Sequence, residues 1–177
     1  MKQPGNCQLK VIVNTEQIAE AVARIASEIT RDYQKKQPLL ICVLKGSFIF
    51  LADLVRQLKL DVETDFIQLA SYHSDEESSG KVTVTQDLQK SITGRDVLVI
   101  EDIVDTGLTI SFLLDHLKKK KPASLKLCAL TEKPSRHQVP VSIDYLGFTL
   151  PNKFVVGYGL DLDEKYRCLP EIYSVEE

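Results

Sequence analysis

The run VLVIEDIVDTGLTI, Val97 to Ile110, joins an apolar segment to three carboxylates and a hydroxyl-rich turn. Glu101 and Asp102 are adjacent. Asp105 follows after two apolar residues and leads into Thr106, Gly107, Leu108 and Thr109. Acids set against an apolar segment are costly unless something compensates them. An Asp-Thr-Gly-Leu-Thr turn between a strand and a helix points the first backbone N–H groups of that helix outward, where the helix dipole favours an anion. Gly107 permits the tight turn, and Thr106 and Thr109 add hydroxyls. The cradle suits a phosphate, although the same residues also make a plain Thr-capped helix start. The spacing is not that of a Walker A loop.

Adjacent acids beside such a cradle suit a phosphorylated sugar. Carboxylates accept hydrogen bonds from vicinal hydroxyls, as the acidic residue of a dinucleotide fold does from a ribose. They also stand where Mg2+ would sit near a polyphosphate. Two other readings compete: acids merely solvated at a strand end, and a receiver-type acidic pocket on a flavodoxin-like fold. The receiver reading fits less well, because the acidic strand is mid-chain and runs directly into a Thr/Gly turn.

The elements that must position these groups follow from periodicity. Ile18, Val22, Ile25, Ile29 and Tyr33 recur at helical spacing and predict a helix from Glu16 to about Lys36, capped by Thr15. LLICVL, Leu39 to Leu44, is a short apolar run suited to a strand buried on both faces. It ends in Lys45-Gly46-Ser47, and a helical pattern follows through Phe50, Leu51, Leu54, Val55 and Leu58. Val62 to Tyr72 predicts another strand, and the polar stretch His73 to Lys81 a mobile loop. VTVTQDL and VLVIEDI predict two more strands. A helix is expected over Ile110 to Lys121, then a strand at SLKLCAL ending near Lys133. Later strands are expected at Ile143 to Thr149, Phe154 to Tyr158 and around Ile172. Alternating strands and helices imply βαβ units and a mainly parallel twisted sheet flanked by helices, an α/β fold. Ligands bind at the carboxyl ends of such strands. Lys45-Gly46-Ser47, Glu101 to Thr109 and the segment from Lys133 all stand there, and are expected to form one site.

The 177 residues suit a single domain with a sizeable core. A hydrophobic share of 44%, a charged share of 27% and a net charge of -3 are ordinary for a soluble globular protein and mark no nucleic-acid binder. No apolar run approaches the ~20 residues of a membrane helix, and MKQPGNCQLK has no apolar signal core, so export is not expected. Cys7, Cys42, Cys128 and Cys168 form no CxxC pair and no metal spacing with His. Cys42 and Cys128 lie in apolar runs and read as small buried hydrophobes, which points to a reducing, cytoplasmic setting. His73, His116 and His137 receive no role, and the latter two are expected in solvent. The run Lys118 to Lys121 reads as positive charge at a helix C-terminus.

VLVIEDIVDTGLT resembles the phosphoribosyl-pyrophosphate signature of the type I phosphoribosyltransferases. LKGS at Leu44 to Ser47, Ser71-Tyr72 opening the polar loop, Lys133 after a strand, and KFVVGYGLD at Lys153 to Asp161 with Arg167 beyond it resemble the hypoxanthine-guanine branch. The resemblance covers most of the chain. It implies one phosphoribosyltransferase domain over residues 1–177. The core spans about 10–150, a segment of about 151–177 joins a small purine-binding hood, and a lid loop closes over the site.

By the same resemblance Thr106, Gly107, Leu108 and Thr109, with the Asp105 backbone, hold the 5′-phosphate. Glu101 and Asp102 hold the ribose hydroxyls, and Asp105 is the general base for the purine N7 proton. Lys45, Gly46 and Ser47 bind pyrophosphate through exposed backbone N–H groups around a Leu44–Lys45 peptide that the family keeps cis, and Ser47 stands where some members have a second Gly without harm to that role. Ser71 and Tyr72 reach the pyrophosphate when the lid closes, and Arg167 reaches it with a forked donor set. Lys133 bonds the 6-oxo group and repels the amine of adenine. Phe154 stacks on the purine, the Val155 backbone meets its Watson–Crick edge, and Asp161 adjoins both purine and metal. Mg2+, held through Asp161, Glu101 and Asp102, is the implied cofactor. The implied substrates are phosphoribosyl pyrophosphate and a 6-oxopurine, the implied assembly a homodimer or homotetramer. Xanthine or uracil as the base, and a nucleic-acid-binding regulator on the same fold, are the alternatives.

Overall fold

A computed structural model describes residues 8–71 and 82–176. Cys7, Tyr72, His73 and the rest of the expected lid through Lys81 lie outside the described residues, as does the side chain of Ser71. The chain order is β1 (Gln8–Val13), α1 (Thr15–Asp32), β2 (Leu39–Leu44), α2 (Phe48–Gln57), β3 (Glu63–Ser71), β4 (Val82–Gln86), β5 (Asp96–Val104), α3 (Leu108–Lys118), β6 (Ser124–Glu132), a 3-10 turn (Pro134–Arg136), β7 (Tyr145–Thr149), β8 (Val155–Val156) and β9 (Ile172–Glu176).

Six strands form one sheet in the order β4-β3-β2-β5-β6-β7. Every pairing in it is parallel except that of edge strand β4 with β3. The apolar runs in β2, β5 and β6 are continuous because both faces are covered. Leu40, Cys42, Leu98, Ile100, Cys128 and Leu130 turn towards α1 and α2. Leu39, Ile41, Val43, Val97, Val99, Leu127 and Ala129 turn towards α3. Truncating one such side chain to Ala typically costs about 2–5 kcal/mol, so the strand ends that carry the site rest on a rigid scaffold. The small second sheet has the order β1-β9-β8 and is antiparallel. It takes in β1, most of which the family resemblance assigns to the core, because Gln8 to Val13 pair with Ile172 to Glu176 rather than with a strand of the large sheet.

Several boundaries differ from expectation for local reasons. Asn14, not Thr15, caps α1: its side chain accepts from Gln17 N at 2.9 Å, and its own N–H donates to Gln17 Oε1 at 2.9 Å. The helix stops at Asp32, with Tyr33 buried as its C-cap. α3 begins at Leu108 rather than Ile110 and ends at Lys118, not Lys121. Lys121 turns to a φ of 56, and Lys120 bonds Asp87 at 2.8 Å. Phe154 falls outside the strand expected there; the strand itself is only Val155–Val156. His116 lies 3.1 Å from Asp87 and is not freely solvated. His137 is half-buried, with Nε2 buried and unpartnered.

Candidate active site

β2, β5 and β6 are neighbours and parallel, so their carboxyl ends lie side by side. That alignment brings Lys45-Gly46-Ser47, Glu101 to Thr109 and Lys133 along one edge of the sheet. The 133–138 segment is then stitched to the β5 turn: Lys133 N–H donates to Val104 O at 2.9 Å and Gln138 N–H to Thr106 O at 2.9 Å.

Two cavities meet here. The first, about 260 Å3, is lined by Gly46, Glu101, Asp102, Asp105, Thr106, Gly107 and Thr109. The second, about 310 Å3, is lined by Asp102, Asp105, Lys133, Arg136, Phe154, Val155 and Asp161. Asp102, Ile103 and Asp105 border both and form the ridge between them. A larger cavity of about 420 Å3 lies behind α2, between Ile18, Val22, Asp53, Tyr158 and Leu169. It holds none of the acid, hydroxyl or lysine groups that converge on the other two, so size alone does not mark the site.

The turn at residues 105–107 needs a glycine. Gly107 has a φ of 81, and a Cβ there would stand 2.9 Å from Val141 Cγ2 and 3.0 Å from Val139 O. Helix α3 starts at the next residue, which leaves its first N–H groups open towards the Thr106–Thr109 cavity. Thr106 Oγ1 accepts from Leu108 N–H at 3.4 Å.

Glu101 and Asp102 lie inside β5, not beyond it, and each is only 8% exposed. Burial pushes Glu101 well above its usual range, and the Asp102 charge pushes it further. Burial also raises Asp102, against hydrogen bonds from Glu101 and from the Ile103 N–H at 2.9 Å. The two buried carboxyls therefore resist ionising together. The unfolded Glu101 carboxyl titrates near 4.5, so above that value the folded chain retains a proton that the unfolded chain has lost. The stability of the ligand-free protein is greatest below it and falls as pH climbs towards the folded value. Glu101→Gln abolishes this titration. Thermal melts of the variant should lie roughly 2–4 °C above wild type at neutral pH for each kcal/mol relieved, and the two should converge in acid. A variant melting no higher than wild type at neutral pH would contradict the strained pair.

Asp105 is held by a residue the sequence pattern did not single out. Arg136 Nε donates to Asp105 Oδ1 at 2.5 Å, and Nη1 faces Asn152 Oδ1 at 3.4 Å. The only sequence cue is a basic residue three positions after Lys133, across a Pro-led turn. Lys133 itself is 5% exposed. Burial lowers its pKa, while the Asp105 charge pulls it back up. Phe154 is 52% exposed at the cavity rim, and Val155 is buried.

At the end of β2 the Leu44–Lys45 peptide is cis. Gly46 meets Asp102 face to face: a Cβ on Gly46 would lie 1.7 Å from Asp102 Oδ2. The Ser47 side chain turns away from the cavity. It is fully buried, with Oγ donating to Val43 O at 2.7 Å and touching Cys42 Sγ at 3.1 Å. Its hydroxyl points into the core because α2 starts there, so it offers no side-chain donor to a ligand. Arg167 holds the 159–164 turn, donating from Nη1 to Gly159 O at 2.8 Å and pairing through Nη2 with Asp161 Oδ1 at 2.9 Å. Its Nε is buried and unpartnered. Tyr72 lies outside the described residues, and of Ser71 only the backbone, closing β3, is described.

A mainly parallel sheet whose strand ends converge on a Thr/Gly anion turn and two acids defines a class, and residues 8–163 match the family model of the phosphoribosyl transferase domain. The chain belongs to that family. Its relatives narrow the class. It is 44% identical over 168 residues to a hypoxanthine-guanine phosphoribosyltransferase of Streptococcus pneumoniae, covering 95% of this chain and 93% of that one. It is 44% identical over 163 residues to the enzyme of the same description from Bacillus subtilis, covering 92% and 91%. A solved hypoxanthine-guanine phosphoribosyltransferase from Bacillus anthracis, with a HEPES molecule in its active site, superposes with a TM-score of 0.90 at 46% identity, covering 96% of this chain and all of that one. Within phosphoribosyltransferases the chain stands with the hypoxanthine-guanine enzymes.

Proposed function

We propose that the protein transfers the 5-phosphoribosyl group of phosphoribosyl pyrophosphate to N9 of hypoxanthine or guanine, giving IMP or GMP and pyrophosphate. The observation that carries this reading is the shared carboxylate ridge. It separates a cavity with a phosphate turn from a cavity with a buried lysine, as a nucleotide-forming site requires.

In the first cavity Thr106 to Thr109 and the Asp105 backbone take the 5′-phosphate. Glu101 and Asp102 accept from the ribose hydroxyls, replacing the repulsion between them with hydrogen bonds. Lys45 and Gly46 face the pyrophosphate, with Arg167 beside them. In the second cavity Phe154 covers the purine, Val155 meets its edge and Lys133 donates to the 6-oxo oxygen. N9 attacks C1′ as the C1′–oxygen bond to pyrophosphate breaks, and the N7 proton passes to the Asp105 carboxylate. Charge at C1′ develops as in glycoside chemistry, so water must be excluded; closure of the 71–81 loop is the proposed means.

Mg2+ fits the donors present. Among the described residues no three metal-ligating side chains converge, yet burial pushes both the Glu101 and Asp102 carboxyls up and the Asp102 charge pushes Glu101 further, a pair that a nearby cation would help ionise. Such a site suits a cation that takes most of its ligands from phosphates, hydroxyls and water, with Asp161 close by. Bound Mg2+ supplies charge neutralisation on the leaving pyrophosphate. Among the described residues no helix is long and apolar enough to cross a membrane. The proposal places the enzyme in the cytoplasm, as a homodimer or homotetramer that light scattering would resolve.

Incubation with phosphoribosyl pyrophosphate, Mg2+ and one base at a time tests the reading. IMP and GMP should form from hypoxanthine and guanine, and product from neither would end it. Thr109→Ala tests the phosphate turn. Losing one hydroxyl donor to a charged group costs about 1.5–3 kcal/mol, so KM for phosphoribosyl pyrophosphate should rise on the order of tenfold or more. KM for hypoxanthine should hold. An unchanged sugar-phosphate KM would remove Thr109 from the cradle.

A further inference from the structure

Glu164 is absent from the roles above, yet its carboxylate sits between two of the cations assigned to pyrophosphate. One oxygen, Oε2, accepts from Lys45 Nζ at 3.1 Å and from Arg167 Nη2 at 3.4 Å. Lys45 belongs to the turn after β2 and Arg167 to the segment before β9, so this contact joins two distant parts of the chain. The Glu164 backbone N–H also donates to Asp161 Oδ2 at 2.9 Å, which fixes the turn that presents it.

We propose that Glu164 is a resident anion of the pyrophosphate subsite, which occupies Lys45 and Arg167 when no polyphosphate is bound and is displaced when one arrives. The inference rests on the assignment of those two cations to pyrophosphate. A carboxylate shared by two cations imitates one phosphate oxygen of the ligand. The Lys45 hydrogen bond, more than the nearby Arg167 charge, holds Glu164 below the usual glutamate range, so it is ionised at neutral pH. Its side chain is 63% exposed and that of Lys45 53%. Exposed pairs of this kind are weak, and a pyrophosphate carrying several charges displaces the carboxylate at small cost.

The consequence is a tuned affinity. With Glu164 present, every pyrophosphate group that enters must first free Lys45 and Arg167. The same carboxylate re-pairs with them as product leaves. Removing its charge leaves Lys45 without a carboxylate partner until an anion arrives, while Arg167 keeps only Asp161, which strengthens the hold of both on the entering anion. Glu164 thus sets the affinity for the pyrophosphate end of the substrate and for pyrophosphate as product, and leaves base binding alone.

The test is Glu164→Gln in the full chain, read by calorimetric titration with magnesium pyrophosphate and by initial rates. Dissociation constant, product-inhibition constant and KM for phosphoribosyl pyrophosphate should each fall roughly two- to fivefold, the size of an exposed ion pair. KM for hypoxanthine should stay unchanged, and Glu164→Asp should restore most of the wild-type value. Lys45→Met serves as the control on the parent assignment. If Lys45→Met leaves pyrophosphate affinity unchanged, the assignment of Lys45 fails. If Lys45→Met weakens pyrophosphate but Glu164→Gln does not tighten it, only the resident-anion proposal fails. A Glu164→Gln variant that binds pyrophosphate more weakly and melts lower would make Glu164 a structural tie of the 159–164 turn instead.

Discussion

Gly46→Ala should lower kcat/KM for both substrates on the order of 10²-fold, the scale expected when reacting groups are displaced by about 1 Å. The added methyl would stand 1.7 Å from Asp102 Oδ2 and 2.5 Å from Cγ. The Asp102 carboxylate has little freedom to retreat. Its Oδ1 accepts from Ile103 N–H at 2.9 Å, its backbone oxygen from Thr131 Oγ1 at 2.8 Å, and it is 8% exposed. Either the ribose-binding acid rotates out of place or the pyrophosphate turn shifts away from it. Both outcomes separate the two ends of the phosphoribosyl group, and the folded core is untouched by either. Steady-state kinetics with a parallel thermal melt checks this. Wild-type kcat/KM in a folded Gly46→Ala protein would show that the close approach has no catalytic consequence.

Lys133→Met should have the second largest effect, and it should be selective. The substitution keeps the length and apolar stem of the side chain and removes only the ammonium. In a pocket where Lys133 is 5% exposed, a 6-oxo oxygen left without its charged donor loses about 1.5–3 kcal/mol. That corresponds to a fall in kcat/KM for hypoxanthine of about 10- to 150-fold. KM for phosphoribosyl pyrophosphate should stay near wild type, because Lys133 borders only the purine-side cavity. Discrimination against adenine should relax in step, since two opposed donors no longer meet. Full activity with unchanged base preference would exclude Lys133 from recognition of the 6-oxo group.

Much of this was legible before the fold was known. Continuous apolar runs at Leu39 to Leu44 and Val97 to Ile100 read as strands covered on both faces, and the two clusters that cover them are those of α1 with α2 and of α3. The three polar loops were legible as one site because each follows such a strand. Lone charges in turns were not legible: Arg136 and Glu164 lie in no periodic pattern, and only folding brings them to Asp105 and Lys45. The inward hydroxyl of Ser47 was hidden as well, because the sequence does not say that α2 begins on top of it. The pairing of β1 with β9 spans nearly the whole chain, and no local signal encodes it. Phe154, Val155 and Asp161 were proposed from resemblance alone; the fold sets all three around the cavity that holds Lys133.

The most direct measurement places equal amounts of hypoxanthine and adenine in one reaction with phosphoribosyl pyrophosphate and Mg2+, and follows both nucleotides by chromatography. A phosphate turn joined to a lysine-gated purine pocket predicts IMP in large excess, with pyrophosphate released in equal amount. AMP forming as fast as IMP, or neither nucleotide forming, would contradict it.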